Sequence, residues 1–89
     1  MEDMLNMLPI EGARALAQAG VIKHVRLAAS GEGFNVEINR NFIVATRKNE
    51  PRIFSKADTA LSWLNELGVT KIHEVDLSNW RDGGKAETQ

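Results

Sequence analysis

Val25-Arg26-Leu27-Ala28-Ala29-Ser30-Gly31-Glu32-Gly33-Phe34-Asn35-Val36-Glu37-Ile38 decides the fold. Phe34, Val36 and Ile38 alternate with Asn35, Glu37 and Asn39, the period of a half-buried strand. Upstream, Val21 to Ala29 alternates as well, with Val25, Leu27 and Ala29 on one face and His24 and Arg26 on the other. Ser30-Gly31-Glu32-Gly33 supplies the turn between the two runs. Asn39-Arg40-Asn41 is a second tight turn, because Asn tolerates positive φ, and the β-branched run from Phe42 to Thr46 makes a third strand. An antiparallel meander is therefore predicted.

Helical periodicity flanks this meander. Ile10, Ala13, Leu16, Ala17 and Gly20 recur at helical spacing, with Pro9 in the first turn, Glu11 against the helix dipole and Gly20 as the stop, so a helix is predicted from about Pro9 to Ala19. Downstream, Ala57, Ala60, Leu61, Leu64 and Leu67 form one stripe closed by Gly68, and Ser55-Lys56-Ala57-Asp58 resembles a capping box with Asp for the usual Glu. Between strand three and this helix, Arg47 to Pro51 is a polar loop and Arg52-Ile53-Phe54 a short strand. Lys71 to Leu77 reads as a last strand. Residues 1–8, Met-rich with an acidic tip, extend the first helix or dock on a partner. The expected architecture is α+β: a small antiparallel sheet of three to five strands with two helices on one face, in the order α-β-β-β-(β)-α-β. It forms a single domain over residues 1–80, with a disordered tail over 81–89.

Composition bounds the function. The chain has 89 residues, 43% of them hydrophobic and 26% charged, enough for one modest core and little room for a deep substrate cleft. It has no Cys, which excludes disulfides, a thiolate nucleophile and Cys-ligated metal. No apolar run approaches the ~20 residues of a membrane span, and Glu2 and Asp3 replace the basic start of a signal peptide, so a cytoplasmic protein is expected.

Few residues suggest chemistry. His24 and His73 are the only histidines and lack metal-like spacing such as HExxH; two strand histidines near the surface are the simpler reading. Ser30, Ser55, Ser62 and Ser78 form no nucleophile elbow. Glu74 and Asp76 share a strand face, and a solvated strand face accounts for them. Gly31-Glu32-Gly33 is a hairpin turn without the pattern of a phosphate loop. No catalytic residue, cofactor or metal ligand is assigned.

Net charge is -1, yet charge is unevenly spread. Between positions 40 and 56 lie Arg40, Arg47, Lys48, Arg52 and Lys56 against Glu50 alone, a patch able to contact nucleic-acid phosphates if folding gathers it along one sheet edge. Solubility and edge protection explain the same charges without a ligand. Trp63 falls just off the main stripe, at the core boundary, while Trp80 either covers the core or, with Met4 and Met7, faces a protein partner. Unpaired edges of a small sheet also invite a second copy, which favours a homodimer.

Arg52-Ile53-Phe54-Ser55, then Ala57-Asp58-Thr59-Ala60-Leu61-Ser62-Trp63-Leu64-Asn65-Glu66-Leu67-Gly68, with Asp76 and Trp80, carry a family likeness. Leu8-Pro9-Ile10-Glu11, Ala13-Arg14-Ala15-Leu16-Ala17 and Ala19-Gly20 belong to it. Over roughly residues 8 to 80 the chain resembles the ParC-type accessory proteins encoded with plasmid partition cassettes. The resemblance implies a cytoplasmic, non-catalytic plasmid protein acting beside a partition ATPase, its DNA-binding partner or the DNA. It transfers no site residue. Double-stranded-RNA-binding domains share the helix–three strands–helix order, but they open their second helix with a basic run. Here Lys56 stands alone before Ala57 and Asp58. An accessory protein working through protein contacts is the preferred reading, with a nucleic-acid-binding module second and an enzyme of unrecognised type third.

Overall fold

The structure, a computed structural model, describes residues 5–31 and 33–80. Met4, the first residues of the N-terminal segment and the tail over 81–89 lie outside the described residues. The elements run β1 (Asn6–Pro9), α1 (Ile10–Gln18), β2 (Val25–Ser30), β3 (Gly33–Ile38), β4 (Phe42–Ala45), α2 (Ala57–Glu66) and β5 (Glu74–Asp76). The class is α+β and, after β1, the order matches the expectation. The sheet has five strands in the order β1-β4-β3-β2-β5.

The meander forms as the alternation requires. Val25 faces Ile38, Leu27 faces Val36 and Ala29 faces Phe34, which places every large apolar side chain of β2 and β3 on one side. The sheet is nevertheless not purely antiparallel as expected, since β1 lies parallel to β4 and β5 parallel to β2. The segment before Pro9 does not extend α1. A residue preceding proline is sterically driven out of the helical region, so Leu8 stays extended; Pro9 itself has φ -63° and ψ 161°. Leu8 then pairs beside Val44 and enters the core at 7% exposure.

Three shorter expectations are also corrected. Val21 to His24 is irregular, and β2 starts at Val25. The segment Arg52–Phe54 makes isolated bridges instead of a strand: Pro51 faces Ala45, and Phe54 exchanges two 2.8 Å backbone hydrogen bonds with Phe34. Pro51 is tolerated because the flanking bonds, Thr46 N–H to Glu50 C=O and Arg52 N–H to Val44 C=O, need nothing from its nitrogen. The N-cap of α2 is Lys56, with no side-chain cap bond, so Ser55 is not the cap and no capping box forms.

Both helices cover the same sheet face. Ala13 of α1 and Ala60 and Leu64 of α2 join Val25, Leu27, Phe34, Val36, Ile38, Val44 and Phe54 in one buried cluster. Ile38, Leu64, Val25, Val36 and Val44 are its largest fully buried side chains, each stabilising by about 1.5–3 kcal/mol through burial. Ala13 and Ala60 are fully buried, and their small side chains let the helices sit close to the sheet. Phe54 and Trp63, ring centroids 5.6 Å apart, and Phe34 and Trp80, 5.0 Å apart, line one end of the core.

Candidate interaction surface

The uncovered sheet face is built around Arg26. On β2 it stands opposite Glu37 of β3 and Glu74 of β5. Its Nη1 donates to Glu37 Oε1 at 2.9 Å and its Nε to Glu74 Oε2 at 3.0 Å, while its Nη2 donates to Asp76 Oδ2. Burial alone would lower the guanidinium pKa, but the hydrogen bonds to Glu37 and Glu74 and the charges of Glu37 and Asp76 outweigh it and raise it. Asp76 also accepts from the Ser78 hydroxyl at 2.6 Å and the Ser78 N–H at 2.9 Å; these bonds, then Arg26, hold its carboxyl below the usual range. Glu74 and Asp76, which the sequence pairs on one strand face, are thus ion-pair partners on an open surface.

His24 and His73 stack with ring centroids 5.0 Å apart. His73 Nδ1 accepts from the Val25 N–H at 3.1 Å, which fixes that ring as a strap between β5 and β2. His24 places Nε2 3.9 Å from Glu74 Oε1 and leaves Nδ1 buried without a hydrogen bond. Desolvation first, then the charges of Arg40 and His73, lower the His24 pKa against the opposing pull of Glu74. Among the described residues, no three His, Cys, Asp or Glu side chains stand together as a metal-binding group.

The five basic residues do not share one end of the sheet. Arg40 is in the turn before β4, in a shallow hollow with His24, Arg26, Glu37 and Glu74. Arg47 and Lys48 follow the other end of β4. There Arg47 lines a surface hollow of ≈ 560 Å³ with Arg14 of α1, a residue that no sequence pattern singled out. Arg52 keeps its Cζ 4.9 Å from the Phe54 ring centroid, and Lys56 caps α2.

The two described interface candidates lie at opposite sheet edges. Met7 is on the β1 edge, 36% exposed. Trp80, 41% exposed, bridges Gly31 beside β2 and stacks on Phe34, so it covers part of the core and also shows a face to solvent. Near it Val75 and Leu77, each 55% exposed, are apolar residues that the sequence had assigned only to a strand. No helix among the described residues is long and apolar enough to cross a membrane. Comparison of the chain with family models, with curated proteins and with solved structures finds no match in any of the three.

Proposed function

We propose that this chain is a non-catalytic accessory protein of the cytoplasm that works by protein contact through the edges of its sheet. The observation that carries the reading is the state of the polar groups. The chemically capable carboxylates on the open face are tied to Arg26, while the exposed apolar residues Met7, Val75, Leu77 and Trp80 collect at the two sheet edges. Exposed apolar groups beside unpaired strand edges are suited to binding. The likeness to ParC-type proteins supports a partner within the plasmid partition machinery.

Self-association belongs to the β1 edge. Asn6 N–H bonds inward to Asn41 C=O, so alternation turns the backbone of Met7 outward, and no charge occurs from Asn6 to Pro9. Sedimentation velocity over a concentration series tests this: a dimer that Met7→Asp converts to monomer supports it, and a single monomeric mass at all concentrations rejects it. The nucleic-acid reading draws its support from Arg14 joining Arg47 in one hollow. An electrophoretic shift that weakens steeply with salt and is lost on charge reversal at Arg47 and Lys48 would favour it, and absence of a shift at low salt removes it.

A further inference from the structure

β5 is a three-residue strand at the edge of the sheet. His73 N–H donates to Val25 C=O across the parallel pair, so by alternation the backbone N–H and C=O groups of Glu74 and Asp76 point away from the sheet. The two faces of this edge differ in chemistry. On the open face stand the carboxylates of Glu74 and Asp76, which with Glu37 make three negative charges bonded to Arg26, with Arg40 as a second guanidinium in the same hollow. On the helix side stands Val75, in register with buried Leu27, followed by Leu77 in the same alternation and by Trp80 on Phe34. Leu61, 42% exposed, extends this apolar side: two positions from Trp63, it is turned about 200° from it around the helix, and Trp63 lines the groove against α1. The exposed apolar side chains of α2 and β5 thus rise on the same flank of the molecule.

Two occupants from within the chain are unsuitable. A second copy pairing β5 against β5 around a twofold axis, with the carboxylate faces in common, must set Glu74 and Asp76 against Glu74 and Asp76. Like charges directly opposite across strands are destabilising. The segment after Trp80, Arg81-Asp82-Gly83-Gly84-Lys85-Ala86-Glu87-Thr88-Gln89, holds no apolar side chain larger than Ala86 and cannot match Val75, Leu77 and Leu61.

We infer that the outer edge of β5 receives an extended segment of a partner protein in which apolar and basic residues alternate. Its backbone pairs with Glu74 and Asp76, its apolar side chains lie over Val75, Leu77 and Leu61, and its Lys or Arg side chains face the two carboxylates. The inference rests on the protein-contact reading above and names the partner's chemistry.

The test uses the full chain and short blocked peptides that alternate valine with lysine, alternate valine with glutamate, or scramble the valine–lysine composition. The valine–lysine peptide is expected to slow hydrogen exchange at the Glu74 and Asp76 amides and to shift the Trp80 indole resonance. It should bind roughly tenfold more tightly than either of the other two and weaken with added salt. Leu77→Asp, an exposed position outside the Arg26 cluster, should abolish binding while leaving the melting transition in place. Equal binding of the valine–glutamate peptide, changes confined to β1, or no binding by any peptide overturns the inference. If a purified protein partner then binds wild type and Leu77→Asp equally, the protein-contact reading stands and only the β5 assignment falls.

Discussion

Arg26 and Glu74 face each other across the parallel β2–β5 pair and are joined by a 3.0 Å hydrogen bond from Nε to Oε2. This contact and those to Asp76 and Glu37 tie the short edge strand to the centre of the sheet. Arg26→Met leaves three carboxylates without their shared cation. The groups are partly solvated, so the expected loss is about 1 kcal/mol, read by urea denaturation. Hydrogen exchange should accelerate in β5 more than in β3. Arg26→Lys should restore little, because an ammonium cannot reproduce the planar fork.

Asn39 closes the turn after β3 with a φ of 55° and three side-chain bonds. Its Oδ1 accepts from the Lys23 and His24 N–H groups at 2.7 and 3.1 Å, and its Nδ2 donates to Val21 C=O at 2.9 Å. Asn39→Ala removes all three and keeps a left-handed residue, so a loss of about 2–3 kcal/mol is expected from chemical denaturation. Asn39→Gly, which relieves φ but not the bonds, should be less harmful.

Gly33 is needed for space. A Cβ there would stand 2.5 Å from Ile53 Cγ2 and 2.6 Å from the Phe54 carbonyl oxygen. Because that oxygen accepts the Phe34 N–H, Gly33→Ala must push the Phe54 bridge off β3. A cost of about 1–3 kcal/mol is expected, with a changed Trp63 fluorescence as Phe54 moves.

His24 gives a pH dependence whose sign follows from its lowered pKa. The unfolded imidazole takes a proton near 6.5, while the folded one, desolvated and near Arg40, His73, Arg26, Glu37 and Glu74, takes it only at lower pH. The stability contributed by neutral His24 is therefore complete above that value. It falls as pH drops below it and levels off under the folded pKa. Urea midpoints at about pH 7.5 and pH 5.5 should differ in wild type and converge in His24→Gln.

The sequence made the helices and the β2–β3–β4 meander legible because each carries its own period and its own turn chemistry. Asn39 is an example: its tolerance of positive φ was enough to place the turn. The last strand was read over Lys71 to Leu77, a range that contains β5, but β1 and the parallel pairing of both strands were not legible. β1 has only four residues, too few to show a period, and the partners of β1 and β5, β4 and β2, are distant in the chain. The Arg26 cluster depended on that register, so Arg26 was seen only as a polar-face residue, and Glu74 and Asp76 only as neighbours. The basic patch failed to gather for a related reason: Arg40 and Arg47 are close in sequence, but the length of β4 separates them.

Sedimentation velocity of the full chain mixed with each purified component of a plasmid partition complex tests the account most directly. A complex with one protein component, formed by wild type and lost in Leu77→Asp, is predicted. A chain that sediments alone beside every component would contradict the account.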